Sequence, residues 1–300
     1  MDRRQFLKMT AMVGVGMAVP GSVCRFIRHV EADEEPDLTV VLGASPSQAT
    51  RAAIDALGGM RRFIAKGDIV VVKPNIGWDR TPEYAATTNP DVVGAVVKLC
   101  CEAGAKKVKV FDHTVNNPKR CYTQSGIADA AGAAGAEVSF IDERRFKEVR
   151  LDGLALKSWP LYADVLEADK VINVPIAKTH GSARLTLAMK NWMGIMGGAR
   201  GKVHQKLDES LVDVAKVMRP ALTILDAVRI LTAGGPQGGD LADVKRLNTI
   251  VAGTDQVAID SFGATLFGMK GSDLGFVGLA DRAGLGRMDL SKMKIKRIQV

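Results

Sequence analysis

Aromatic residues make up only 5% of this 300-residue chain. A nucleic-acid surface built on stacked rings is therefore not expected. No block of five or more Lys/Arg occurs either, although the net charge is +8. Cysteine is scarce: Cys24, Cys100, Cys101 and Cys121, with no CxxC pair and no iron–sulfur or zinc spacing. No metal-ligand set is assigned. Cys100 shares a helical stripe with Val93, Val96 and Val97, which predicts burial. An oxidising compartment would permit a disulfide from Cys100 or Cys101 to Cys121, which the sequence leaves open. GxGxxG, GxSxG and HExxH are all missing. An ordinary nicotinamide site, a serine hydrolase and a zinc protease therefore have no support. The longest mild apolar run, 9–19, is too short to span a bilayer as a helix of the mature chain.

The N-terminus carries an address. Arg3-Arg4-Gln5-Phe6-Leu7-Lys8 resembles the twin-arginine export motif, and Pro20-Gly21-Ser22 follow the apolar run. The reading is a signal peptide and linker over 1–32 and export to the periplasm. Val23 before Cys24 is a poor match to a lipoprotein signal, so no lipid anchor is expected at Cys24. Twin-arginine export resembles a pathway for folded proteins, often with a cofactor bound. That argues indirectly for a cofactor, whose identity the sequence does not give.

With 47% hydrophobic and 25% charged residues, the remainder suits a globular protein. Residues 38–300 are expected to form a single α/β domain, or two lobes, 38–145 and 146–300. Apolar runs over 38–42, 68–73, 107–111 and 137–141 read as strands. Helices are expected between them over 46–65, weakened near Gly58-Gly59, over 90–102 with Pro90 in the first turn, and over 118–134. Further strands are expected at 170–174, 221–225, 247–252 and 293–300, and a hairpin within 146–156. The alternation predicts a mostly parallel sheet with helices on both faces, a Rossmann-like three-layer architecture.

The chain is organised around 170–191. An apolar run, Val171, Ile172 and Val174, is closed by Pro175, and Lys178, Thr179 and His180 follow. Leu185, Met189, Trp192 and Met196 are spaced four, three and four, which predicts one helix with Lys190 and Asn191 off its apolar stripe. Polar residues also follow other strands: Lys73 and Asn75, Asp112 and His113, Asp226, and Thr254-Asp255. In an open parallel sheet such ends converge on one rim, where ligands bind. Lys73, Lys178 and Lys190 are candidates to hold a carboxylate or phosphate, with Asn75, Thr88 and Asn191 beside them. The glycine-rich runs 196–201 and 234–239, with Gly235 and Gly238, offer backbone N–H groups to the same anion. His180, His204 and His113 are candidate proton carriers, and Asp112, Asp226 and Asp260 are candidates to orient one of them or to bind a divalent ion.

These stretches resemble the bacterial and archaeal family catalogued as domain of unknown function 362. The resemblance rests on VVVKPN (70–75), TTNPDVVGAVV (87–97), KVINVPIAKTH (170–180) and LTLAMKNWMGI (185–195). His204, ILDAV (224–228), GGPQGG (234–239) and Thr254-Asp255 to Asp260 also fit. Together they cover roughly residues 38–285. Many relatives look like redox proteins with an added iron–sulfur ferredoxin segment, which is not matched here. The expectation is an exported protein with an anion-binding cleft in a redox or cofactor-dependent reaction. Its partners would be an anionic small molecule or cofactor and a redox partner protein. The alternative is a non-enzymatic binding or cofactor-assembly protein.

Overall fold

The computed structural model describes residues 35–300, and Glu35–Val300 form one compact unit. The twin-arginine signal over 1–32, with Cys24, lies outside the described residues.

Apolar β-branched runs make the strands, and Ser/Asn-Pro pairs start the first three helices. The chain opens with β1 (Leu38–Leu42), α1 (Pro46–Asp55), β2 (Ile69–Pro74), α2 (Pro90–Ala103) and β3 (Lys107–Val110). Next come α3 (Pro118–Gln124), α4 (Ile127–Ala133), β4 (Glu137–Val138), β5 (Phe146–Arg150), β6 (Ser158–Tyr162) and α5 (Ala163–Leu166). Then follow β7 (Lys170–Val174), β8 (Ile176–His180), β9 (Arg184–Thr186), α6 (Ala188–Asn191) and α7 (Leu207–Val217). The last elements are β10 (Leu222–Leu231), β11 (Val244–Gly253), α8 (Gln256–Thr265), α9 (Gly275–Arg282) and β12 (Ile295–Gln299). Ser45, Asn89 and Asn117 cap α1, α2 and α3 through their side chains, and each precedes a proline in the first helical turn.

The main sheet runs β12-β1-β11-β10-β7-β2-β3-β4, with β8 joined to β10 and β9 to β8. The neighbours within β10-β7-β2-β3-β4 are parallel, and β11 runs antiparallel to both β10 and β1. Two core clusters cover the two faces, and strand periodicity assigns residues to them. Val71 and Leu225 pack with Met189, Leu211 and Ile259 from α6, α7 and α8. Val70, Val72, Ile172 and Ile224 pack with Ile54, Val93 and Ile127 from α1, α2 and α4. The result is the expected three-layer α/β architecture with a mostly parallel sheet. Strands from 38–145 and 146–300 interleave, since β1 lies between β11 and β12 and β7 lies beside β2.

Several expected elements differ. Pro175 interrupts the strand but does not end it: lacking an N–H, it breaks the ladder. The chain resumes as β8, whose Ile176 registers with Asp226 of β10. Lys178 and His180 are therefore strand residues. Likewise, the long helix expected over 185–196 is divided into β9, the one-turn α6 and a 3-10 turn over Trp192–Ile195. The predicted 118–134 helix is split where Gly126 takes φ 70°, and the helix from 46 stops at Asp55. β4 is only two residues long, and the expected 146–156 hairpin is the wider pair β5–β6. β10 continues through Asp226 to Leu231. Because β11 is antiparallel, Thr254-Asp255 leave the sheet at the rim opposite the ends of β2, β3 and β7, where Asp255 caps α8. Cys100, Cys101 and Cys121 are free thiols; no bond joins either of the first two to Cys121. Desolvation pushes the Cys121 thiol up to about 11.

Candidate functional site

The rim at the ends of β2 and β3 faces the β8–β9 hairpin, α6 and the residues that follow. Together they enclose a cavity of about 490 Å³. Its floor is a buried polar network. Lys73 Nζ donates to the Pro74 carbonyl at 2.7 Å and to Asn191 Oδ1 at 3.1 Å, and lies 2.7 Å from Asp112 Oδ1. Asn191 Oδ1 also accepts from Asn75 Nδ2 at 3.1 Å. Asn191 Nδ2 donates to Asn173 Oδ1 at 2.8 Å and to the Lys73 carbonyl at 3.2 Å. Asp112 Oδ2 accepts the Ile76 N–H at 2.6 Å. Burial pulls the Lys73 pKa down, and Asp112 opposes that shift.

Local structure explains this placement. Asp260 of α8 accepts the N–H groups of Ala188 at 2.6 Å and Met189 at 3.0 Å. That clamp fixes the start of α6, a single turn that carries both Lys190 and Asn191. Burial pushes the Asp260 carboxyl up to about 7, against the pull of those two N–H bonds. Trp192 is fully buried and donates to Gln256 Oε1 at 2.8 Å, anchoring the far end. The backbone then passes the Lys73–Asp112 pair at Gly194. A Cβ there would stand 1.7 Å from Asp112 Oδ1 and 2.5 Å from Lys73 Nζ. At Gly235 a Cβ would stand 2.0 Å from the Thr179 carbonyl oxygen, so the 234–239 run approaches β8 closely.

The walls are cationic. Lys178 Nζ donates to Asn75 Oδ1 at 3.2 Å and to the Ala86 carbonyl. Lys190 Nζ has Met193 Sδ at 3.1 Å. The Arg200 guanidinium donates to the carbonyls of His113 at 2.6 Å, Thr114 at 2.9 Å and Met193 at 3.1 Å. None of these three cations forms an ion pair with a carboxylate among the described residues. Burial and then the neighbouring Lys190 charge bring Lys178 down to about 7. Burial and then Arg200 bring Lys190 to about 7. Arg200 is lowered by burial as well.

Two histidines stack at one side, ring centroids 5.8 Å apart and 14° from parallel. His180 Nδ1 accepts the N–H groups of Ser182 at 3.2 Å and Ala183 at 3.3 Å. Those partners assign its hydrogen to Nε2. Burial and nearby Lys190 push His180 down to about 3, so its ring is neutral at ordinary pH. His204 Nδ1 faces the Gly201 carbonyl at 3.2 Å, which assigns its hydrogen to Nδ1 and leaves Nε2 an acceptor. Burial lowers its pKa too.

Of the residues singled out from sequence, Lys73, Asn75, Lys178, His180, Lys190, Asn191, His204 and Gly235 line the cavity, as do Asp112 and His113. Besides Thr254-Asp255 and Asp260, placed above, three lie elsewhere. Thr88 is buried behind the wall, where its hydroxyl accepts the Asn75 N–H and donates to the Val174 carbonyl, both at 2.8 Å. Asp226 sits mid-strand in β10 and accepts the N–H groups of Asn89 at 2.7 Å and Val228 at 2.9 Å. Its Oδ2 holds the entry to α2, its Oδ1 binds its own strand, and neither orients a histidine; burial pushes the carboxyl up to about 6. Gly238 takes φ 67° and packs against Leu231. Arg200 was missed. It is the one cation inside GIMGGARG, and a run rich in glycine lets the chain fold that side chain back into the cavity.

The fold and cavity together define an α/β protein with a basic cleft at the ends of parallel strands. The family model described as "Domain of unknown function (DUF362)" matches residues 70–265, and the chain belongs to that family. The thylakoid-associated protein sll1697 of Synechocystis sp. is 29% identical over 218 residues, 70% of this chain and 66% of that protein. Among solved structures, the lactate racemase apoprotein of Thermoanaerobacterium thermosaccharolyticum is similar at a TM-score of 0.42 and 12% identity, over 75% of this chain and 56% of the other. A Thermotoga maritima protein is similar at 0.40 and 8% identity, over 79% and 60%.

Gly194→Ala should separate Lys73 from Asp112 and cost about 2 kcal/mol in urea denaturation, the range for overpacking a core. Gly181→Ala, where a Cβ meets nothing within 4 Å, should stay near the parent. Equal stability of the two variants would show that the close approach at Gly194 is not a constraint.

Proposed function

We propose that the cleft binds a small anionic molecule or cofactor bearing a carboxylate or phosphate. The observation that carries this reading is the set of buried Lys178 and Lys190 with partly buried Arg200, around one cavity and without a carboxylate partner among the described residues. A buried cation without a counter-charge is costly, and an anionic ligand supplies the missing charge. Asn75 and neutral His180 with its Nε2–H add polar groups of the kind that orient such a ligand, whereas the Gly235 N–H is already given to the Thr179 hydroxyl at 3.2 Å. Export to the periplasm by the twin-arginine route is proposed alongside. Replacing Arg3-Arg4 by a lysine pair should then leave the protein in the cytoplasm, and undiminished periplasmic accumulation would contradict the route.

Protonation supplies a direct handle on the site. Lys190 has an ordinary pKa of 10.5 and stands near 7 in the folded chain. The unfolded chain therefore binds more protons between those values, so this group makes stability rise with pH across that window. Lys190→Met removes the buried amine beside Met193. The variant should show a smaller rise in thermal midpoint between about pH 7 and 9, a pH dependence governed by linkage. Its affinity for inorganic phosphate at low ionic strength should fall about tenfold or more, the size of one lost charged hydrogen bond. Parent-like phosphate binding by the variant would contradict the cleft reading.

A further inference from the structure

Three lysines enter the cavity, and their amines are not alike. Lys73 is paired with Asp112 and bonded to two oxygens. Lys178 is bonded to two oxygens, Asn75 Oδ1 and the Ala86 carbonyl. Both have the partners of a held ammonium ion. Lys190 has the Met193 thioether at 3.1 Å, a weak acceptor, and no oxygen partner among the described residues. It is only 6% exposed, and it lies on the cavity wall on a turn that Asp260 clamps. Two cations, Lys178 and Arg200, share the cavity with it.

Building on the anion-cleft reading, we infer that Lys190 is a nucleophilic amine that forms an imine with a small oxo acid. The carboxylate of such a molecule has Lys178 and Arg200 as counter-charges in the same 490 Å³ space. Its carbonyl is then presented to an amine that no oxygen already holds. A desolvated lysine beside a second cation is the arrangement that keeps an amine unprotonated and reactive. The lowered pKa of Lys190 agrees with this arrangement.

The step balances without an oxidant or reductant. The Lys190 nitrogen lone pair attacks the carbonyl carbon, and the C=O π pair moves onto oxygen, which takes a proton. The resulting carbinolamine loses its hydroxyl as water as the nitrogen pair forms the C=N bond. Both amine hydrogens leave, one on the water and one restoring the proton taken up. His204, whose Nε2 is the free acceptor, is the cavity residue suited to carry that proton.

The test is reductive trapping on the full chain. Glyoxylate and cyanoborohydride are added near pH 7.5, where an ordinary lysine is only about one part in a thousand unprotonated. Peptide mapping then reads which lysines carry a carboxymethyl group. Lys190 should be labelled at least about tenfold faster than any surface lysine, with excess inorganic phosphate slowing that site alone. Lys190→Arg keeps the charge and cannot form an imine. It should lose the fast label while keeping a phosphate-induced rise in thermal midpoint. A phosphate shift in the parent with Lys190 labelled no faster than surface lysines overturns the imine and leaves the cleft standing. Absence of both the phosphate shift and the fast label in the parent overturns both readings.

Discussion

Burial of positive charge is the constraint on which this site depends. Lys73, Lys178, Lys190 and Arg200 all face one cavity, and Asp112 is the carboxylate among its lining residues. Charges of one sign gathered in a poorly solvated space repel one another and lose hydration. The protein meets this with fixed dipoles. Backbone carbonyls of Pro74, Ala86, His113, Thr114 and Met193 accept from the cationic groups, and Asn75 and Asn191 link two of the lysines. Carbonyl dipoles do not cancel a net charge, so the lysine pKa values fall instead. The proposed anionic ligand would offset that charge.

Two buried carboxyls fix geometry outside the cavity lining. Asp260 clamps α6, and Asp226 ties α2 to β10. Both are raised by burial, against the lowering pull of the backbone N–H groups that each holds. The close approach at Gly194 brings the backbone against the Lys73–Asp112 pair, and that at Gly235 brings the 234–239 run against Thr179 of β8. Lys190 and Asn191 thus owe their positions to α8, which carries none of the cleft residues.

Much of this was legible in the sequence because strand periodicity and Asn/Ser-Pro helix starts are local signals. The apolar run before Lys73 and the run before Lys178 both marked strands with unexpected cations at their ends. What was not legible depends on pairing. Asp226 reads as a strand end because the apolar run stops there, yet β8 takes over as partner and the strand continues. Thr254-Asp255 read as another rim residue pair until the antiparallel register of β11 places them opposite. The spacing of Leu185, Met189, Trp192 and Met196 imitates a helix because a strand, one turn and a 3-10 segment happen to bury all four residues. Arg200 is invisible to periodicity, since its role comes from a loop folding back.

The most direct test of the central claim is calorimetric titration of the purified chain with sulfate in two buffers of different ionisation enthalpy. Sulfate does not titrate near pH 7.5, so any proton exchanged comes from the protein and its linked groups. Lys178 and Lys190, standing near 7 in the free protein, should be driven toward their charged forms as the anion binds. Net proton uptake on binding is the expected result, lost in large part in Lys190→Met. Binding with the same heat in both buffers, and hence no uptake, would contradict it.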